Sequence, residues 1–111
     1  MKTKELVKVI TKQPGKEPEI KEIGTSLEDY QNEVKGYIES IPFPGEDTID
    51  IILNDMGKVN GMDENIIVPE YGDILMGPLV FIGVDTDAYQ WRSLTNKEIN
   101  IVLDYIKHNK I

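Results

Sequence analysis

The sequence predicts an α+β fold in one small domain spanning residues 1–111, a mainly antiparallel sheet of about five strands with two helices. Three observations predict it. Runs rich in β-branched residues lie on either side of Pro-Gly turns. The most continuous apolar segment, Leu79 to Val84, has the length of a central strand. Two stretches carry a helix-start signal followed by apolar residues at helical spacing.

Leu6 to Thr11 reads as the first strand. "QPGKEP" turns the chain on Pro14-Gly15, and Glu19 to Ile23 returns as the second arm of a hairpin. In "GTSLEDYQNEVKG", Thr25 with Glu28 three residues on makes a capping box, in which hydroxyl and carboxylate satisfy free backbone donors. Leu27, Tyr30 and Val34 then share a helical face, and Gly36 ends the helix by accepting the left-handed conformation. "YIESIPF" and "TIDIILN" flank "PGED" as a second hairpin, with Pro42 restricting its strand to an edge.

Ile66 to Val68 is a short extended piece. Gly77-Pro78 bends the chain before the central strand. In "SLTNKEINIVLDYIKHNK", Thr95 and Glu98 repeat the capping box. Ile99, Val102, Leu103 and Ile106 form a core-facing stripe, and Lys107, His108 and Lys110 suit the negative end of the helix dipole. Ile101, Tyr105 and His108 read as a second face of this helix, which predicts a homodimer packed through it.

Hydrophobic residues make up 40% of the chain, enough for a packed core. No apolar run has the length of a membrane span, and the basic "MKTKELVKVI" carries Lys8 within a short apolar part, so it reads as a strand and not as a signal peptide. A cytoplasmic location is expected. The absence of cysteine excludes disulfides, thiolate zinc sites and thiol catalysis. The net charge of -8 disfavours direct binding to nucleic acid, a polyanion gripped mainly through Lys and Arg. It keeps a small protein soluble, or it presents an acidic face to a basic partner.

"NDMGKVNGMDEN", Asn54 to Asn65, has the composition of a calcium loop. Neither register works: from Asp55, Gly57 and Val59 fall on ligand positions, and from Asn54, Met56 does. It reads as a turn, with Asn54 bonding nearby backbone and Gly57 at positive φ. A backbone-lined ligand loop is the alternative. Asp85 to Asp87 is similar to a metal-binding Asp-x-Asp but reads as an acidic turn after the central strand. His108, the only histidine, lacks a nucleophile signature or a second ligand. No metal, cofactor or catalytic residue is expected.

"DAYQWRSLT" holds the only Trp and the only Arg. If extended, Tyr89, Trp91 and Ser93 point one way and Gln90 and Arg92 the other. Aromatic rings stack on bases, and Arg binds phosphate bidentately. The other reading has Trp91 capping the core and Arg92 paired with a carboxylate.

"QPGKEPEIKEI", "LEDYQNEVKGYIESIPF", "LNDMGKVNGMDEN" and "YGDILMGPLVFIG" occur in that order. They resemble domain-of-unknown-function family 3846, small proteins of phages, plasmids and Gram-positive bacteria. The resemblance rests on Pro14, Gly15 and Lys16; Leu27; Gly36, Tyr37 and Ile38; Asn54 and Gly57; and Gly72, Asp73, Ile74 and Gly77. It implies a small α+β domain in a mobile-element setting and supplies no activity. By analogy of gene setting, it points to counter-defence.

The expected function is therefore non-enzymatic: a phage or mobile-element accessory protein sequestering a small anionic ligand such as an immune signalling nucleotide. Trp91, Tyr89 and Tyr37 would stack on the ligand, and Arg92 and Lys58 would meet its charge. The alternative is an acidic protein–protein inhibitor or DNA mimic acting on a host defence protein. The first needs a local basic, aromatic pocket; the second needs a continuous acidic face.

Overall fold

The computed structural model describes residues 5–111; the opening residues 1–4 of the basic N-terminal stretch lie outside them. The strands are β1 (Leu6–Lys12), β2 (Glu19–Gly24), β3 (Ile38–Phe43), β4 (Glu46–Asn54), β5 (Glu64–Val68), β6 (Asp73–Met76), β7 (Leu79–Asp85) and β8 (Gln90–Arg92); the helices are α1 (Leu27–Val34) and α2 (Asn96–Asn109), with a 3₁₀ turn at Pro69–Tyr71. The α+β class is as the sequence predicts. The antiparallel sheet is larger, six strands in the order β2-β1-β7-β4-β3 with β8 also on β7, and β5-β6 form a separate hairpin.

β7 lies centrally because its alternating residues are buried on both faces. Val80 and Ile82 belong to one core with Val7, Val9, Tyr30, Val34 and Ile52, under α1. Leu79 and Phe81 belong to the other, with Ile51, Ile66, Leu75, Val102 and Ile106, under α2 and the β5-β6 hairpin. The sheet is thus covered on both sides. Pro42 sits on β3, an edge strand, where its missing N–H costs no ladder bond.

Several local expectations are corrected. The first capping box is Ser26 with Asp29, one residue later than Thr25 and Glu28: Ser26 Oγ accepts from Asp29 N at 3.1 Å and Asp29 Oδ2 from Ser26 N at 3.1 Å. The shift makes Leu27 the first helical residue and leaves it 60% exposed, while Tyr30 and Val34 remain buried. The left-handed residue after α1 is Lys35 (φ 63°), not Gly36. Gly36 is small because Asn54 packs on it: a Cβ there would lie 2.6 Å from Asn54 Nδ2, which donates to Val34 O and Lys35 O.

Asn54 also accepts from Met56 N at 2.8 Å, so its backbone-bonding role in the loop is as expected. Gly57 is not left-handed; Gly61 (φ 68°) supplies that conformation. Gly57 instead lies against β6, where a Cβ would approach Met76 O to 3.1 Å. Gly57→Val should therefore lower stability by about 1–3 kcal/mol through crowding rather than φ. Urea denaturation measures this; an unchanged midpoint would mean that the loop yields freely.

The second face expected on α2 is not separate from its core face. At about 100° per residue, Tyr105 lies only ~60° from Val102. Ile101 and Tyr105 are half-buried against the α2-side core, the Tyr105 ring stands 5.0 Å from that of Phe43, and its hydroxyl donates to Glu70 Oε1 at 2.7 Å. Burial and the Glu70 carboxylate push this hydroxyl above its ordinary value. Of the expected dimer face, only His108 is exposed.

Candidate functional site

β8 is three residues long and pairs with β7 at Gly83–Asp85, on the side that β1 occupies further down. Ser93 Oγ accepts from Lys8 N at 2.9 Å and Leu94 N donates to Lys8 O at 3.0 Å, which fastens the strand to β1. Strand alternation then sends Trp91 to the α1 face and Arg92 to the α2 face.

Trp91 donates from Nε1 to Asp50 Oδ2 at 2.9 Å, and its ring meets that of Tyr30 edge-on, 4.9 Å between centroids. Arg92 crosses over Gly83, where a Cβ would collide with Nη1 at 2.2 Å, and pairs with Glu98 through two bonds of 2.7 and 3.0 Å. Glu98 accepts further from Thr95 N at 2.9 Å, closing the α2 capping box, and from Thr48 Oγ1 at 2.8 Å. The guanidinium, with these two donors, holds the Glu98 carboxyl down to about 2 although burial opposes it. Arg92 is thereby committed to an internal carboxylate.

The other expected ligand residues lie apart. Tyr89, 91% exposed and at φ 52°, caps the β7-β8 turn, in which Asp85 Oδ1 accepts from Asp87 N and Ala88 N. Tyr37, 73% exposed, follows α1 at the opposite end of the sheet. Lys58 pairs with Asp73 and sits in a cavity of about 140 Å³ shared with Glu39 and Asp55. The structure brings Tyr89 and Trp91 together. It does not bring Tyr37, Lys58 or Arg92 to them.

Two shallow hollows, of about 380 and 350 Å³, meet at Gln90 and Trp91. Leu27, Tyr30, Ile38 and Glu5 line one; Tyr89, Val84 and Asp50 line the other. Among the described residues, no Lys or Arg lines either hollow. A groove of about 420 Å³ between the β1-β2 turn and the 57–62 loop holds Lys16 and Lys35, with Asp63, and no aromatic ring. Lys35 also borders the hollow beside Tyr37.

Register and helix direction separate the charges. The β3-β4 turn (Glu46, Asp47) and the β7-β8 turn (Asp85, Asp87) flank the pair Ile49↔Gly83 and so share one end of the sheet. The start of β1 (Glu5) and the start of α1 (Glu28, Asp29) lie there too, as do the capped start of α2 and Lys97 in its first turn. Carboxylates at these helix starts complement the positive dipole ends. Lys12, Lys16, Lys35 and the basic last turn of α2 gather at the opposite end, where Lys110 Nζ pairs with Glu17 at 2.9 Å.

That far end also contains a pair with no motif in the sequence. Lys12, 1% exposed, donates to Asn65 Oδ1 and Gln13 O, each at 2.9 Å. Asn65, fully buried, donates to Lys12 O at 2.7 Å and Gly77 O at 2.8 Å. Burial lowers the Lys12 ammonium from its ordinary value. The apolar alternation of β1 and of "ENIIV" carries a polar residue at each of these sites, and that break was the only signal available.

Among the described residues, no group of three or more His, Cys, Asp or Glu could hold a metal, and no helix is long and apolar enough to cross a membrane. The family described as Domain of unknown function (DUF3846) matches residues 7–108, nearly the whole chain. No curated protein and no solved structure matches.

Proposed function

We propose that this chain, which belongs to the DUF3846 family, acts without catalysis as an acidic binding protein that occupies the basic surface of a partner protein. The observation that carries this reading is the charge separation: half-buried Glu46 and exposed Asp47, Asp85 and Asp87 stand together at one sheet end, beside the exposed Tyr89. Such a surface attracts a cationic partner and repels nucleic acid. In a phage or other mobile element, the natural target is a host defence protein whose basic surface grips nucleic acid. Its role would be counter-defence by occlusion.

Charge reversal tests the proposal. The variant Glu46→Lys, Asp47→Lys, Asp85→Lys and Asp87→Lys should lose binding to a basic nucleic-acid-binding protein of the host, by about a hundredfold or more at low salt. Glu46 and Asp47 begin β4 and Asp85 and Asp87 lie at the β7-β8 turn, all outside the two cores, so the circular dichroism spectrum should stay that of a folded protein. Wild-type binding should weaken as salt rises. Salt-independent binding retained by the variant would refute the proposal.

A second reading is favoured by Lys35, which borders both the Lys16 groove and the Tyr37 hollow. There, two ammonium groups and one exposed ring could hold a small anion such as a signalling nucleotide. Calorimetry against cyclic and ADP-ribose-derived nucleotides decides it. Binding lost on Lys35→Ala would promote this reading over the first.

A further inference from the structure

We propose that the paired hollows around Trp91 receive an arginine or lysine side chain projecting from a basic segment of the partner protein. This inference rests on the acidic-binder reading and gives that surface a specific pocket. Trp91 forms the wall common to both hollows, and Tyr30 stands edge-on behind it. An aromatic face attracts a cation through its quadrupole, and a guanidinium also stacks flat on it.

The carboxylates complete the match. Asp50 uses Oδ2 to accept from Trp91 Nε1, while Oδ1 has no hydrogen-bond partner among the described residues. Glu5 lines the other hollow. Burial, then Asp29 and Glu5, push the Tyr30 hydroxyl up, as expected where the local field is negative. Leu27 and Ile38 supply the apolar lining along which the methylene stem of a long cationic side chain lies.

Tyr89 adds an independent observation. It is a non-glycine residue at φ 52° and 91% exposed, so the ring makes little contact that repays its strained backbone. It lines the hollow that holds Asp50 and Trp91. A guest side chain between Tyr89 and Trp91 would bury both rings. Aromatic anchors of this kind carry most of the energy at protein interfaces. An anionic guest would meet Glu5 and Asp50, with no cation lining either hollow among the described residues.

Trp91 is the only tryptophan, so its fluorescence reports on the site directly. The full-length protein is titrated with an oligoarginine peptide and an oligolysine peptide, followed in parallel by emission and calorimetry at low salt. Saturable emission changes are expected. Tyr89→Ser and Leu27→Ser, both at exposed positions, should weaken affinity about tenfold each with unchanged circular dichroism. Calorimetric binding with unaltered Trp91 emission and wild-type affinity in both variants would place the cation elsewhere on the acidic end; the pocket inference then fails and the acidic-binder reading survives. No calorimetric binding of either peptide would overturn both.

Discussion

Replacing Asn65 with alanine should destabilise the protein by about 3–5 kcal/mol, a large share of the stability of a small domain. Asn65 is fully buried and joins three parts of the chain: the end of β1 through Lys12, its own strand β5, and the Gly77 turn before β7. Its removal takes one acceptor from a buried ammonium and leaves Lys12 O and Gly77 O without their donor. Among the described residues, Lys12 has no carboxylate in hydrogen-bond contact to compensate, only Gln13 O. Urea denaturation gives the cost. A second variant, Asn65→Ala with Lys12→Met, should recover part of it, because the stranded charge is then gone. A loss below about 1 kcal/mol for Asn65→Ala would show that water replaces the amide without difficulty.

Acidification from pH 5 towards pH 2 should remove on the order of 2–3 kcal/mol through Glu98 alone. The sign follows from the two states. Unfolded, this carboxyl protonates near its ordinary value of 4.5; folded, the Arg92 pair and the Thr95 and Thr48 donors hold it down to about 2. As pH falls, the unfolded chain binds the proton first, so stability is full above about 4.5 and drains away towards 2. The Glu98 side chain is 8% exposed, so solvent screens its interactions weakly. Glu17 and Asp73 are also lowered by their Lys110 and Lys58 partners, but both lie on the surface and add little. Glu98→Gln should be less stable at neutral pH, and its stability should change less with pH across this window. Parallel curves for wild type and variant would remove Glu98 as the cause.

The helices and the central strand were legible because each carries redundant local signals. Thr95 and Glu98 form their box as the spacing predicts, and Ile99, Val102 and Ile106 are buried as a stripe. The first capping box slipped by one residue because "TSLED" offers two overlapping solutions, and only the exposure of Leu27 against Tyr30 separates them. β6 and β8 are four and three residues long, too short for periodicity to reveal, and their pairing is set by non-local partners. The site was half legible. Strand alternation placed Trp91 and Arg92 on opposite faces, but their partners Asp50, Glu98 and Thr48 lie far away in sequence. The Lys12–Asn65 pair, 53 residues apart, is likewise a product of tertiary structure.

Native mass spectrometry of the protein purified from its host cells tests the central claim most directly, because it reads bound proteins and bound small molecules together. The account predicts a complex with a basic protein that dissociates as ionic strength rises and is absent for the variant reversed at Glu46, Asp47, Asp85 and Asp87. A chain that instead carries a small anionic ligand, retained by that variant and lost with Lys35→Ala, would contradict it.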